Sequence, residues 1–184
     1  LFPYTTLFRS SSASILSSHR KSLDLPAMTH TNLEEGMEAK SKILYIKKCW
    51  DKDPELNIGK ETPEGGEFAV KSLRAATDDL AASKIDVLVT APINKHNVQS
   101  SEFNFPGHTE FLAKLSNVDN ALMLMVADKL RVAVVSGHVP LKDVAKNLTK
   151  EKIVESITQL NNSLIKDFGI SRPKIAVLGL NPHA

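Results

Sequence analysis

Cysteine is almost absent: Cys49 is the single one among 184 residues. One thiol excludes a disulfide framework and a cysteine-rich zinc site, and a reducing, cytoplasmic setting is the expectation. Charge of one sign is missing too. The chain carries 23 basic and 21 acidic residues, a net charge of +2. That balance gives no electrostatic case for a nucleic-acid or membrane partner. No apolar run is long enough to span a bilayer. There is no internal repeat, and no low-complexity tract beyond a Ser-rich start. Neither Gly-x-Gly-x-x-Gly nor a phosphate-loop lysine motif occurs, so any nucleotide must bind in another way.

What is present is ordinary for a globular protein: 42% hydrophobic and 24% charged residues. The length suits one good core, or a domain and part of another. The chain begins without Met and stops at Ala184, directly after a strand-like run. The expectation is a fragment lacking sequence on both sides. Residues 1–10 look like one reading frame of a sequencing adapter and are set aside from fold reasoning. A signal peptide is the competing reading, but Arg9 interrupts its apolar part. Residues 11–184 are then the partial protein.

Residues 14–22 form a helix candidate with Ile15 and Leu16 inward, and 29–40 a polar loop. Residues 43–46 are a short apolar run, a plausible strand. Residues 51–66 carry Pro54, Gly59, Pro63, Gly65 and Gly66 and read as turns. In 67–83, Phe68, Leu73, Ala76 and Leu80 recur near every third or fourth position, an amphipathic helix. Residues 85–90 read as a strand, and 109–115 as a short helix. The apolar runs 121–126 and 130–135 break at Asp128 and Lys129. Residues 139–148 read as a helix. Residues 149–168 are the clearest helix: Thr149 caps it, Glu151 lies in its first turn, and Gly169 stops it. Residues 174–180 are a buried-type strand. Runs apolar on both faces, alternating with helices, predict an α/β fold with a mainly parallel sheet covered on both sides.

Three predicted strands lead into polar turns: 85–90 into Lys95, 131–136 into Gly137-His138, and 174–180 into Asn181-Pro182-His183. Ligands of open α/β sheets bind outside the carboxyl ends of strands. A lone His after a strand is usually a solvated loop residue, and two at one edge strengthen the case for a site. The separations of these histidines match no local zinc motif. Lys95 taken alone reads as a surface charge, as do His19, His30 and His96. Gly107-His108-Thr109-Glu110-Phe111 differs in kind. Glycine lets the backbone approach a ligand, and Thr109 stands where a helix would begin, with free amides that favour an anion. An ordinary capped helix explains the same pattern.

Four motifs occur in order: Val89-Thr90-Ala91-Pro92-Ile93-Asn94-Lys95, Phe105-Pro106-Gly107-His108-Thr109-Glu110-Phe111, Gly137-His138-Val139-Pro140-Leu141 and Gly179-Leu180-Asn181-Pro182-His183-Ala184. Together they resemble the 4-hydroxythreonine-4-phosphate dehydrogenase family of bacterial pyridoxal phosphate biosynthesis. The similarity runs over 11–184 and is strongest from residue 65 onward. The resemblance implies a three-layer α/β/α fold like the isocitrate and isopropylmalate dehydrogenases, here incomplete, and a homodimer with a shared active site. It implies NAD as hydride acceptor, a divalent metal (zinc, magnesium or cobalt), and 4-phosphooxy-L-threonine as a small phosphorylated substrate. It implies that His108 and Thr109 contact the substrate and that His138 and His183 bind the metal. The family's third metal histidine comes from the partner subunit. Its substrate-holding lysine, asparagine and arginine lie beyond residue 184, and its opening glycine-containing turn is absent here. The residue types suit the chemistry, because a metal held by neutral histidines acts as a Lewis acid on a secondary alcohol.

Three other readings stand beside this one. A related dehydrogenase for a four-carbon aldonate phosphate would share the motifs. In another class, the chain is an inactive module that retains only partial metal or phosphate binding. A metal-dependent hydrolase would release phosphate without NAD.

Overall fold

The computed structural model describes residues 6–34, 36–38, 40–137 and 139–182. The chain divides into two compact units, Leu1–Ser116 and Asn117–Ala184.

The first unit is built on a three-stranded parallel sheet ordered β1-β3-β2, from β1 (Leu7–Ser11), β2 (His30–Asn32) and β3 (Leu44–Lys48). Leu7 and His30 both stand opposite Leu44. Leu44, Tyr45 and Ile46 in the central strand are buried in succession. That run is what a strand covered on both faces requires. Part of the segment set aside in the sequence reading therefore supplies β1, and the polar loop over 29–40 contains β2. The helix α1 (Ala13–Ser22) connects β1 towards β2. Its cap is Ser12, whose hydroxyl accepts from the Ile15 N–H at 3.3 Å.

The helix α2 (Pro63–Ala81) starts four residues earlier than its apolar spacing predicts. Thr62 caps it, accepting from the Gly65 N–H, and Pro63 occupies the first helical position. Val70 and Leu73 of α2 share one core with Val98, Phe103 and Phe111. The last of these belongs to α3 (His108–Leu115). Lys47 of β3 reaches Asp79 of α2 at 2.7 Å, a half-buried ion pair that ties sheet to helix.

The second unit pairs β4 (Met123–Ala127) with β5 (Leu130–Val134) antiparallel, with Met123 opposite Val134. This corrects the expectation of a mainly parallel arrangement for these two runs. A two-residue break at Asp128 and Lys129 can join only antiparallel neighbours, and Asp128 takes the left-handed backbone (φ 44°) such a turn needs. Over 139–148 the predicted single helix is a short 3-10 turn, Leu141–Asp143, and one turn of helix, α4 (Val144–Asn147). Leu141 is exposed, so no apolar stripe anchors a longer helix. The helix α5 (Lys150–Lys166) is capped by Thr149, which accepts from the Lys152 N–H at 3.2 Å. Gly169 adopts φ 67° just past its end, and the Ile170 N–H closes back on the Leu164 carbonyl.

The predicted strands over 85–90 and 174–180 are not formed. Neither segment has a ladder partner among the described residues, and Val87, Val89, Val177, Leu178 and Leu180 are exposed. Their apolar character marks surface suited to burial, but a strand exists only with a neighbour to accept its hydrogen bonds. No helix among the described residues is long and apolar enough to cross a membrane.

Candidate functional site

The site candidate that the structure assembles lies in the first unit, where the turn around Lys95 meets the start of α3. That turn is built by its own polar residues. The Asn94 side-chain oxygen accepts from the His96 and Asn97 N–H groups at 2.9 and 3.3 Å, a local mimic of a backbone turn. The Asn94 amide donates to Glu61 at 3.0 Å, and the Asn97 amide donates to the Thr62 carbonyl at 2.8 Å. Both partners stand at the entrance of α2. Gly66 makes this approach possible: a Cβ there would lie 1.8 Å from the Asn97 carbonyl oxygen. Backbone packs on backbone, and only glycine leaves room.

The start of α3 is set from below. Phe103 and Phe111 are fully buried, and their rings lie 5.2 Å apart. Phe105 meets both edge-on. The Arg74 guanidinium lies over the Phe111 ring and donates to the Glu102 carbonyl. This aromatic cluster holds Gly107 buried, His108 half-buried and Thr109 exposed. The helix begins at His108 with Gly107 as its cap position, one residue earlier than predicted, so Thr109 lies in the first turn and does not cap it. No side chain caps the helix. Its leading N–H groups thus keep the partial positive charge that favours an anionic or polar ligand. Glu110 in the first turn supplies an acidic side chain at the same end. The Lys95 stem runs alongside: its Cε lies 3.8 Å from where a Gly107 Cβ would stand.

The structure thus brings Lys95, His108 and Thr109 into one neighbourhood. His138 and His183 lie outside the described residues. The segment over 85–90 that was to deliver Lys95 is not a strand; the Asn94 turn docked on α2 positions it instead. His19, His30 and His96 are exposed, as their polar surroundings suggest, and His96 stands 3.8 Å from Glu61. Burial raises the Cys49 thiol above its ordinary pKa, which leaves it protonated and poorly nucleophilic. Sequence reasoning missed Asn94, Asn97, Gln99 and Gly66 as builders of the site. The Asn and Gly residues beside Lys95 and Pro63 were the available signal.

Known proteins resemble this chain in sequence and in fold. The family described as pyridoxal phosphate biosynthetic protein PdxA matches residues 4–184. A 4-hydroxythreonine-4-phosphate dehydrogenase from Bacteroides thetaiotaomicron is 42% identical over 167 residues, covering 90% of this chain and 46% of that protein. A Bradyrhizobium diazoefficiens protein, provisionally named a D-threonate 4-phosphate dehydrogenase, is 39% identical over 142 residues, covering 77% and 41%. A solved Salmonella typhimurium structure, provisionally named a 4-hydroxythreonine-4-phosphate dehydrogenase, superposes with a TM-score of 0.81 at 26% identity, over 97% of this chain and 55% of that one. The fold is therefore the dehydrogenase-type α/β fold that the four motifs implied. The chain spans about half the length of the relatives it matches. With the family match running almost end to end, the chain belongs to the PdxA family of pyridoxal phosphate biosynthetic proteins.

Proposed function

We propose that the chain supplies one subunit's central share of a dehydrogenase site that oxidises 4-phosphooxy-L-threonine, with decarboxylation, in pyridoxal 5'-phosphate biosynthesis. The observation that carries this reading is the uncapped start of α3, with His108 and Thr109 in its first turn above a closed aromatic core. His108 and Thr109 contact the substrate there. The free amides and the nearby Lys95 suit a substrate bearing negative charge. In this reading NAD takes the hydride, and the working protein is a cytoplasmic homodimer whose site both subunits share.

A divalent ion (zinc, magnesium or cobalt) would be held by His138 and His183 with a histidine from the partner. Among the described residues no three His, Cys, Asp or Glu side chains gather where they would hold an ion. Two neutral imidazoles are suitable donors by type, and the ion they would hold supplies Lewis acidity towards the substrate alcohol.

A second reading, oxidation of a four-carbon aldonate phosphate, draws support from the Bradyrhizobium relative. The deciding experiment assays the protein, at its relatives' length, for NADH formation from each substrate with and without a chelator. NADH from 4-phosphooxy-L-threonine, lost on chelation and restored by a divalent ion, is expected. NADH from the aldonate phosphate alone would transfer the assignment to the second reading. Phosphate release without NAD would replace both with a hydrolase. Metal titration of the present chain is expected to give weak binding, since the proposed site is completed only by a histidine of the partner.

A further inference from the structure

One side chain joins the two halves of the candidate site. The Gln99 Nε2 donates to the Lys95 carbonyl at 3.1 Å and to the Phe105 carbonyl at 2.9 Å. A carboxamide nitrogen carries two hydrogens, and here each is used on a different segment. The orientation of the amide follows from its neighbours, because both are acceptors and only the nitrogen can meet them. One acceptor is the backbone of the Lys95 turn. The other lies two residues before Gly107 and three before His108.

This clasp has no substitute nearby. Among the described residues, no other hydrogen bond ties residues 104–106 to another part of the chain. The Phe105 ring packs on Phe103 and Phe111, but ring packing is non-directional and does not satisfy the Phe105 carbonyl. On its far side the Lys95 turn is anchored to α2 through Asn94 and Asn97. A continuous series of bonds therefore runs from the start of α2, through the turn and Gln99, to Phe105, three residues before α3.

We propose that Gln99 is a positioning residue for the substrate site. It fixes the separation between the Lys95 backbone and the helix start that presents His108 and Thr109. Small displacements of binding groups are magnified in catalysis, so a side chain that touches no substrate sets the geometry in which substrate is met. The inference rests on the reading of His108 and Thr109 as substrate contacts.

The test is Gln99→Glu, nearly identical in shape but without donors at neutral pH. Gln99→Leu is the second variant, and both change an exposed position. Hydrogen exchange of residues 105–111 in the full chain reads the clasp directly and needs no substrate. Faster exchange there, with exchange of α5 unchanged, is expected. Unchanged exchange in both variants would overturn the proposal. In the protein assayed for dehydrogenase activity, KM for 4-phosphooxy-L-threonine should rise roughly tenfold in Gln99→Glu, with a smaller change in kcat. The ratio of mutant to wild-type KM should shrink as the pH falls, because a protonated Glu regains one donor. Gln99→Leu should show no such recovery. An active wild type with unchanged KM in both variants would also overturn it. A wild type inactive on this substrate would instead sink the functional reading, and the exchange result would still decide the clasp.

Discussion

Gly66 is a residue whose role comes from what it lacks. Its backbone lies against the Asn97 carbonyl so closely that a methyl group would overlap it. Either the Lys95 turn must move or the first turn of α2 must. Gly66→Ala should therefore destabilise by about 1–3 kcal/mol, the usual range for forcing volume into a packed contact. A urea titration checks this, and Gly59→Ala is not a fair control because Gly59 has a positive φ. Gly137→Ala is a fair one: nothing lies near its Cβ position. Asp53 shows a second residue-scale effect. It accepts from Ser12 and from Trp50 Nε1, and hydrogen bonds from Ser12, Ser14 and Trp50 hold its carboxyl below the ordinary carboxylate range. A carboxyl depressed in the folded state is more protonated when unfolded. Its stabilisation is fully present above the ordinary carboxylate pKa and is lost as pH falls through the folded value. The stability difference between wild type and Asp53→Asn should accordingly shrink on acidification, seen in chemical denaturation at neutral and acid pH. A difference that does not change with pH would contradict the assignment.

Among the elements, α3 and α5 offer contrasting tests. The cap of α5 is a single hydroxyl on an exposed helix end, so Thr149→Ala should cost about 1 kcal/mol by thermal or urea unfolding. Phe111 of α3 is wholly buried beside Phe103 and Phe105 with the Arg74 guanidinium over its ring, and Phe111→Ala should cost about 3–5 kcal/mol. It should also free the His108 end of the helix, visible as faster hydrogen exchange over 107–111. These two helices were legible in the sequence because their signals are local: a cap, an apolar stripe and a stop for α5, and a glycine before a helix start for α3. The start of α3 was legible to within one residue. The segments 85–90 and 174–180 were not, although both are strongly apolar. Apolarity records a tendency to be buried, whereas a strand depends on a partner elsewhere in space. The same distinction governs the site. His108 announced itself through a glycine and a helix start. Gln99 and Asn97 did not, because their work is done on carbonyls that are distant in sequence or hidden in turns.

At the scale of the whole molecule, exposed apolar surface is the outstanding property. Val89 is 86% exposed and Leu178 91%, in runs whose composition suits the inside of a sheet, and Leu141 is 89% exposed. The β4–β5 hairpin also exposes Met125, Val126 and Leu130. Exposed apolar side chains in such number favour association over a free monomer. Sheet-forming segments without partners add unpaired backbone groups, which template pairing between chains. The chain by itself should therefore self-associate in solution, as measured by sedimentation, and should bind a hydrophobic dye. Replacing Val87, Val89 and Leu178 with Thr should reduce both effects while leaving the urea midpoint close to wild type, because exposed side chains contribute little to the folded core. This pairing of results separates surface from stability. A lowered midpoint would mean that these residues are packed in solution. A dye-silent monomer in the unmodified chain would overturn the reading of these segments as exposed in solution.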